Sequence, residues 1–528
     1  MVKFLDKNSG FNQWNANNSA AGKKPRFSGV LWWIILFLIS WWLVSIWFGP
    51  KKNVDNAPAP APVADLSAVP AFDTATDNIT ARVQGLRINQ IQLKDFAQSE
   101  KSDNAGHPVT LLAGDNDFAE IGLLATGTTA PAVGTVWRMG ADGAMTWRSA
   151  DGVSYRRVVT ADNYIITVTD EITNRSGRDI TVSPYARIVR DAGGKSTAGV
   201  FTGAIAYANS DIEREDWHDL SRRAYAYTTT NGFVGFADQY WETFVAVDSP
   251  DQTIRMKKLD DNYDVARYQA DASAGARTIA NGATETIRTH LYAGPREQRT
   301  LSHAATVIPG VDKTMDYGWF WFLARPMLWA LNALYGIVMN YGVAIILLTL
   351  VLRGILWPLT RKSYTSMMTM QKMQPEMARI QKLYANDKPR MQMEMMRLYQ
   401  THKTSPMSGC LPMLIQIPIF FALYKALLIS VQMRSAHFLW ISDLAVMDPY
   451  FIMPILMGAT MYWQQRLQSG ASAAGNDMAA QTQRMMKWMP LLFTVMFAWM
   501  PAGLVLYWTV SNLFGIGQIY IIKRSTRK

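Results

Sequence analysis

The sequence predicts a polytopic α-helical membrane protein of six spans, with a large exported all-β sandwich domain and a cytoplasmic helical hairpin. Three observations predict this fold class. Long apolar segments recur in the last third of the chain, where Asp and Glu become scarce. A long stretch before them shows the two-residue alternation of β-strands. Lys and Arg cluster beside the apolar runs, which is the pattern that sets membrane orientation.

The chain begins with a basic polar segment, 1–29, followed by an uncharged, Trp-rich run at 30–48. This run suits one bilayer span of about 20 residues. We predict an uncleaved transmembrane anchor, because the run is longer than the apolar part of a signal peptide and no A-x-A cleavage site follows it. The basic excess before the anchor predicts a cytoplasmic N-terminus. A linker at 49–78, with the stiff sequence APAPAP near its start, leads to the exported domain.

Alternating apolar and polar residues, as at 164–169 and 286–292, predict a β-sandwich over 79–314. This domain contains no Gly-rich phosphate loop and no H-E-x-x-H motif. Its histidines, at 107, 218, 290 and 303, lack metal-ligand spacing. The single cysteine, Cys410, excludes an internal disulfide. We therefore expect no catalytic residue, no cofactor and no metal site.

The remainder of the chain reads as a membrane domain. An aromatic-dense segment at 317–335 predicts an amphipathic helix in the outer interface. The further predicted transmembrane helices are 340–360, 411–433, 450–466, 488–500 and 503–522. A basic, Met-rich segment at 361–403 predicts a cytoplasmic helical hairpin, in which methionines either pack the two helices together or form an apolar recognition surface. The basic tail at 523–528 places both termini in the cytoplasm.

The most informative residue is Arg353, because it lies within an otherwise apolar span. A charge at such depth costs from about 3 to more than 10 kcal/mol. Either the side chain extends toward the interface near Arg361, or it lies in a hydrated site with a function. The predicted spans contain no Asp or Glu that could neutralise it. Polar residues at similar depth therefore predict a hydrophilic cleft; they are Thr349, Gln416, Tyr507, Ser511 and Asn512.

Hydrolysis is disfavoured, since the spans contain no His and no acid, and a nucleotide-binding loop is absent from the sequence. A cationic cleft attracts acidic residues of a polypeptide or an anionic solute. One alternative is therefore a membrane channel or transporter for anionic solutes. A second alternative is an outer-face binding protein that its spans merely anchor. The second intramembrane cation, Lys425, is expected to extend to the outer interface.

Four blocks of the sequence resemble the YidC family of membrane protein insertases. They are LRGILWPLTRKSYTSMMTMQKMQPEM (352–377), SPMSGCLPMLIQIPIFFALYKAL (405–427), FLWISDLAVMDPYFIMPILMGATMY (438–462) and MPAGLVLYWTVSNLFGIGQ (500–518). Together they cover most of residues 320–523. The N-terminal anchor with a large exported β-domain is similar to the Gram-negative bacterial form of this family.

The resemblance implies an insertase and chaperone that inserts and helps fold proteins of the cell inner membrane, alone or with the Sec translocon. It implies that Arg353 lies in a hydrophilic groove open to the cytoplasm and to lipid. Thr349, Gln416 and the region of Tyr507 and Trp508 would lie at that groove. The hairpin would be needed for activity, and the periplasmic domain, a β-supersandwich, would be largely dispensable.

The implied partners are nascent membrane proteins, the Sec translocon and the lipid bilayer, with the ribosome and the signal recognition machinery as further candidates. No direct nucleic-acid partner is implied. Two features depart from the family pattern. Lys425 occupies a position that we associate with an uncharged residue, and the tail at 523–528 is short for ribosome contact.

Overall fold

The computed structural model describes residues 66, 68–98, 106–114, 116–191, 200–259, 266–402, 411–468 and 488–525. The predicted segments 1–29 and 30–48 lie outside these residues, as does most of the linker at 49–78. The described residues all lie within one compact unit, Val54–Lys528.

The β-domain consists of two antiparallel sheets, and the first has ten strands. Its strands are β1 (Ala71–Ala75), β2 (Ile79–Gln84), β3 (Arg87–Ala97), β4 (Pro108–Leu111), β5 (Phe118–Thr126), β10 (Ile180–Asp191), β13 (Tyr225–Thr229), β16 (Gln252–Lys258), β17 (Arg267–Ala274) and β18 (Arg277–Ile279). The order across the sheet is β1-β2-β3-β5-β10-β17-β16-β13, with β4 paired to β3 and β18 paired to β10.

The second sheet has nine strands. They are β6 (Arg138–Met139), β7 (Met145–Arg148), β8 (Ser154–Asp162), β9 (Ile165–Thr173), β11 (Gly203–Ala208), β12 (Asp211–Asp216), β14 (Phe233–Ala237), β15 (Trp241–Val247) and β19 (Thr284–Pro295). Their order is β12-β11-β14-β15-β19-β9-β8-β7-β6. Alternating residues such as Ile166, Val168 and Ile172 are buried, because successive side chains of a strand point to opposite faces. The predicted all-β domain of two sheets is confirmed.

Two local features of this domain differ from the sequence prediction. Strand β1 lies inside the range predicted as linker, 49–78. Its sequence AFDTA is half exposed and pairs only with β2, so it lacks the strong alternation of a central strand. Two short helices are also present: α1 (Trp217–Arg222) lies between β12 and β13, and α2 (Gln298–Ala304) follows β19. The carboxylate of Asp216 caps α1 by accepting a 2.7 Å hydrogen bond from the Asp219 amide.

Helices form the rest of the described chain. They are α3 (Trp321–Val338), α4 (Tyr341–Ile355), α5 (Trp357–Leu383), α6 (Lys388–Thr401), α7 (Leu411–Ile429), α8 (Ile452–Gln468), α9 (Trp488–Phe497) and α10 (Ala502–Ser525). The range 340–360, predicted as one span, is thus divided between α4 and α5, which meet at an angle of 63°. Pro358 in the first turn of α5 explains the break, because proline cannot donate to the preceding helical turn.

One described helix, over Ala502–Arg524, is long and apolar enough to cross a bilayer alone. The bent pair Tyr341–Ile355 and Trp357–Met370 meets this criterion only when its two helices are taken together. Leu414–Ile429 and Trp488–Phe497 are apolar but shorter. Six spans therefore remain a prediction.

The sandwich packs directly on two of these helices. Leu328 of α3, together with Ala426 and Ile429 of α7, belongs to the same buried cluster as the sandwich core. The side-chain amide of Gln239 donates a 3.1 Å hydrogen bond to the Leu428 carbonyl. The sandwich thus has a fixed contact with the C-terminal end of α7.

Candidate functional site

Arg353 lies in the last turn of α4, three residues before the break at Leu356. The carbonyl groups at the end of a helix carry a partial negative charge, which stabilises a cation by about 0.3–1 kcal/mol. The bend between α4 and α5 therefore gives the charge a more favourable position than the middle of a continuous span.

The guanidinium of Arg353 is half-buried and binds a neutral hydroxyl group. Its Nε donates a 2.8 Å hydrogen bond to Oγ of Ser511 in α10, and one terminal nitrogen bonds the same oxygen. Ser511 itself is buried. Within the part of the chain that the structure describes, no carboxylate forms an ion pair with Arg353. Its charge is thus compensated only by a hydroxyl group and a helix end.

A second polar pair lies one helical turn away. The side-chain amide of Gln416 in α7 donates a 2.5 Å hydrogen bond to the hydroxyl of Tyr507 in α10. Residues four apart in a helix lie on the same face, so Tyr507 and Ser511 are neighbours. We call Arg353, Gln416, Tyr507 and Ser511 the polar cluster. It joins three helices, α4, α7 and α10.

The structure does not bring the other predicted residues into this cluster. The hydroxyl of Thr349 is fully buried and donates to the Ile345 carbonyl of its own helix at 2.7 Å. The side-chain amide of Asn512 donates to Thr460 of α8 at 3.3 Å. Trp508 belongs to an aromatic group, with ring centroids 5.2–6.1 Å from those of Phe420, Phe493 and Phe497. The contacts of Asn512 and Trp508 pack helices together, whereas that of Thr349 stays within its own helix.

One charged pair was not predicted from the sequence. Nζ of Lys425 in α7 lies 2.6 Å from Oδ2 of Asp316, which precedes α3. The two residues are 109 positions apart, so no helical spacing indicates their contact. Burial raises the pKa of the Asp316 carboxyl, but the Lys425 ammonium, the Gly318 amide and Arg214 together lower it further, so the net pKa is below its ordinary value. Lys425 therefore ends in an ion pair, where the sequence suggested only an extension to the interface.

Known protein families match both the β-domain and the helical region of this chain. The family model described as "60Kd inner membrane protein" matches residues 333–528, and the model "YidC periplasmic domain" matches residues 71–330. A protein named membrane protein insertase YidC from Methylobacillus flagellatus is 38% identical over 392 residues, which cover 73% of this chain and 69% of the relative. The protein of the same name from Pasteurella multocida is 38% identical over 390 residues, covering 72% and 69%.

The solved structures that match this chain resemble it only distantly. A galactose mutarotase-like protein from Lactobacillus casei is 9% identical, with a TM-score of 0.28, over 42% of this chain and 100% of that one. A similarity of this size supports no argument about function.

Proposed function

Because this chain belongs to the YidC family of membrane protein insertases, we propose that it inserts its substrates through a hydrophilic groove formed at the polar cluster. Family membership itself gives the broader function. The chain is an inner-membrane protein with a periplasmic domain, it inserts nascent membrane proteins, and its family is not one of catalytic enzymes. A channel or transporter for anionic solutes is not favoured by this membership.

The observation that carries the proposal is the incomplete compensation of Arg353. A hydrogen bond to a charged group contributes about 1.5–3 kcal/mol, whereas a charge within a bilayer costs about 3 kcal/mol or more. The Ser511 hydroxyl and the end of α4 offset only part of that cost. Water or an anionic group of a substrate is therefore expected to complete the site.

In the proposed mechanism, a polar segment of the nascent protein enters the groove from the cytoplasm. Acidic residues of the translocated tail pair transiently with Arg353, while the Gln416 amide and the Tyr507 hydroxyl exchange hydrogen bonds with its backbone. The apolar segment then leaves sideways into lipid. No nucleotide is required, because moving the apolar segment into the bilayer is itself favourable.

The remaining predicted residues, Thr349, Trp508 and Asn512, are proposed to support the walls of the groove. The Asn512 amide and the Trp508 ring contact neighbouring helices, whereas the Thr349 hydroxyl bonds the backbone of its own helix. We therefore expect their substitution to act mainly through the packing of α4, α8 and α10, and less through direct contact with substrate.

The proposed topology has six spans, with both termini in the cytoplasm. The segment 361–403, which includes α6 and most of α5, contains nine Lys or Arg against three acids, which supports a cytoplasmic location. The loop at 434–449, by comparison, contains one Arg and no Lys. We propose that the cytoplasmic face receives substrates from the ribosome and the signal recognition machinery, and that the membrane domain also acts beside the Sec translocon.

Site-specific photocrosslinking tests passage through the groove. A photoreactive amino acid replaces Gln416 in one variant, and Leu513, an exposed residue of α10, in a control variant. Ribosome-bound nascent chains of a small two-span substrate should crosslink at position 416 about fivefold more than at position 513. Equal crosslinking at the two positions would contradict the groove.

A further inference from the structure

We infer that the ion pair of Lys425 and Asp316 is a positioning device, which fixes the outer end of α7 and thereby the groove residue Gln416. This inference deepens the proposed function and rests on it. Lys425 follows Gln416 by nine residues in the same helix, so the two lie about 13 Å apart along its axis.

The Lys425 side chain is largely buried and closely packed, unlike the side chains of an exposed surface ion pair. Its side chain is 16% exposed, and that of Asp316 is 31% exposed. The second carboxylate oxygen of Asp316 accepts a 2.9 Å hydrogen bond from the Gly318 amide. Gly318 has φ +70°, and a Cβ there would lie 3.1 Å from Cε and Cγ of Lys425. The backbone at Gly318 therefore leaves room for the aliphatic part of the lysine.

The sandwich fixes the position of Asp316 through buried contacts. The Thr314 hydroxyl donates to Oε2 of Glu242 at 2.8 Å, and its carbonyl accepts a 2.7 Å hydrogen bond from Arg296. Arg296 and Glu242 are both 1% exposed and form an ion pair of 2.9 Å. Since Thr314 precedes Asp316 by two residues, the carboxylate is presented to α7 from a rigid segment.

Helix α7 depends on contacts at both of its ends. Pro418 lies inside the helix and removes one backbone hydrogen bond, which weakens the helix at that point. Before Pro418, Gln416 bonds Tyr507. After it, Lys425 pairs with Asp316, and Ala426 is buried against the sandwich core. The ion pair and these buried contacts together hold the segment of α7 that follows Pro418.

A crosslinking reporter tests the inference in the full chain. Phe320 follows Asp316 by four residues, and Phe421 precedes Lys425 by four residues. Their rings stack with centroids 6.3 Å apart. Both are replaced by Cys, with Cys410→Ser, and joined by a short bifunctional maleimide. Lys425→Gln and Asp316→Asn should each lower crosslinking, and the insertion of a small substrate, by about threefold. The charge swap Lys425→Asp with Asp316→Lys should restore both to within about twofold.

Arg156→Gln is the matched control, because Arg156 forms an exposed ion pair of 2.8 Å with Asp142 in the sandwich. It should change neither readout. Normal crosslinking in both single variants would overturn the inference. So would a swap that restores neither readout, which would indicate that Lys425 acts by its own charge. Arg353→Ala should leave crosslinking unchanged; normal insertion by that variant would contradict the groove while leaving the positioning pair intact.

Discussion

Nε of Arg353 donates a 2.8 Å hydrogen bond to Oγ of Ser511, which joins the last turn of α4 to α10. A neutral hydroxyl group therefore occupies the place that a carboxylate usually takes beside a buried arginine. Since a hydroxyl exchanges more easily than an ion-pair partner, the guanidinium remains accessible to an acidic substrate residue.

Ser511→Ala is expected to destabilise the membrane domain, because it removes the hydrogen-bond acceptor of a half-buried charge. The expected loss is about 2 kcal/mol, seen as a lower Tm of the purified protein in detergent. Thr349→Val is the matched control, since the Thr349 hydroxyl bonds only its own helix backbone. It should change stability by less than about 0.5 kcal/mol. Equal losses in the two variants would argue against a role of Ser511 in compensating Arg353.

The Gln416–Tyr507 hydrogen bond predicts non-additive effects on insertion. Gln416→Leu and Tyr507→Phe each break the same 2.5 Å contact, so the double variant should be no worse than the more impaired single variant. We expect a coupling of about 1 kcal/mol, or about fivefold in insertion rate. The measurement is a double-mutant cycle with a two-span substrate in proteoliposomes. Strict additivity would show that the two residues act independently.

Most of the fold follows from patterns that the sequence displays locally. Strands such as β9 and β10 alternate along most of their length, so their buried faces are visible without the structure. Arg353 is conspicuous because it departs from its local pattern: it is a single charge in an apolar run. The position of Ser511 one turn from Tyr507 is likewise visible as helical spacing.

Other features depend on tertiary contacts that no local pattern encodes. The bend at Leu356 could be anticipated from Pro358. That the bend places Arg353 in the last turn of a helix is known only from the positions of both helices. Thr349 shares the depth of the polar cluster, yet its hydroxyl is satisfied by its own helix. The partner of Lys425, Asp316, lies outside every predicted span. Sequence spacing cannot report a contact between segments of different domains.

The β-domain should lose stability on mild acidification because of His290. Burial lowers the pKa of His290, whose Nδ1 lies 3.0 Å from the Thr167 hydroxyl. The unfolded chain therefore binds a proton more readily than the folded chain. The stability contribution is present above about pH 6.5 and is lost as the pH falls through the folded-state pKa.

His290→Gln should therefore flatten the decrease of the domain's Tm between about pH 7.5 and 5.5. Thermal unfolding of the purified full-length protein across this range gives the measurement. His218→Gln, at an exposed position of α1, is the control and should retain the wild-type pH profile. A wild-type profile in His290→Gln would exclude this histidine as the source of acid sensitivity.

The central claim is that Arg353 pairs with acidic residues of the segment being translocated. The most direct test measures the insertion of two substrates that differ only in the translocated tail, one acidic and one neutral, by cells depleted of the wild-type protein and expressing Arg353→Ala or Arg353→Lys. In the Arg353→Ala variant the ratio of acidic-tail to neutral-tail insertion should fall about fivefold, and Arg353→Lys should restore most of it. A ratio of acidic-tail to neutral-tail insertion that stays at the wild-type value in Arg353→Ala would contradict the pairing.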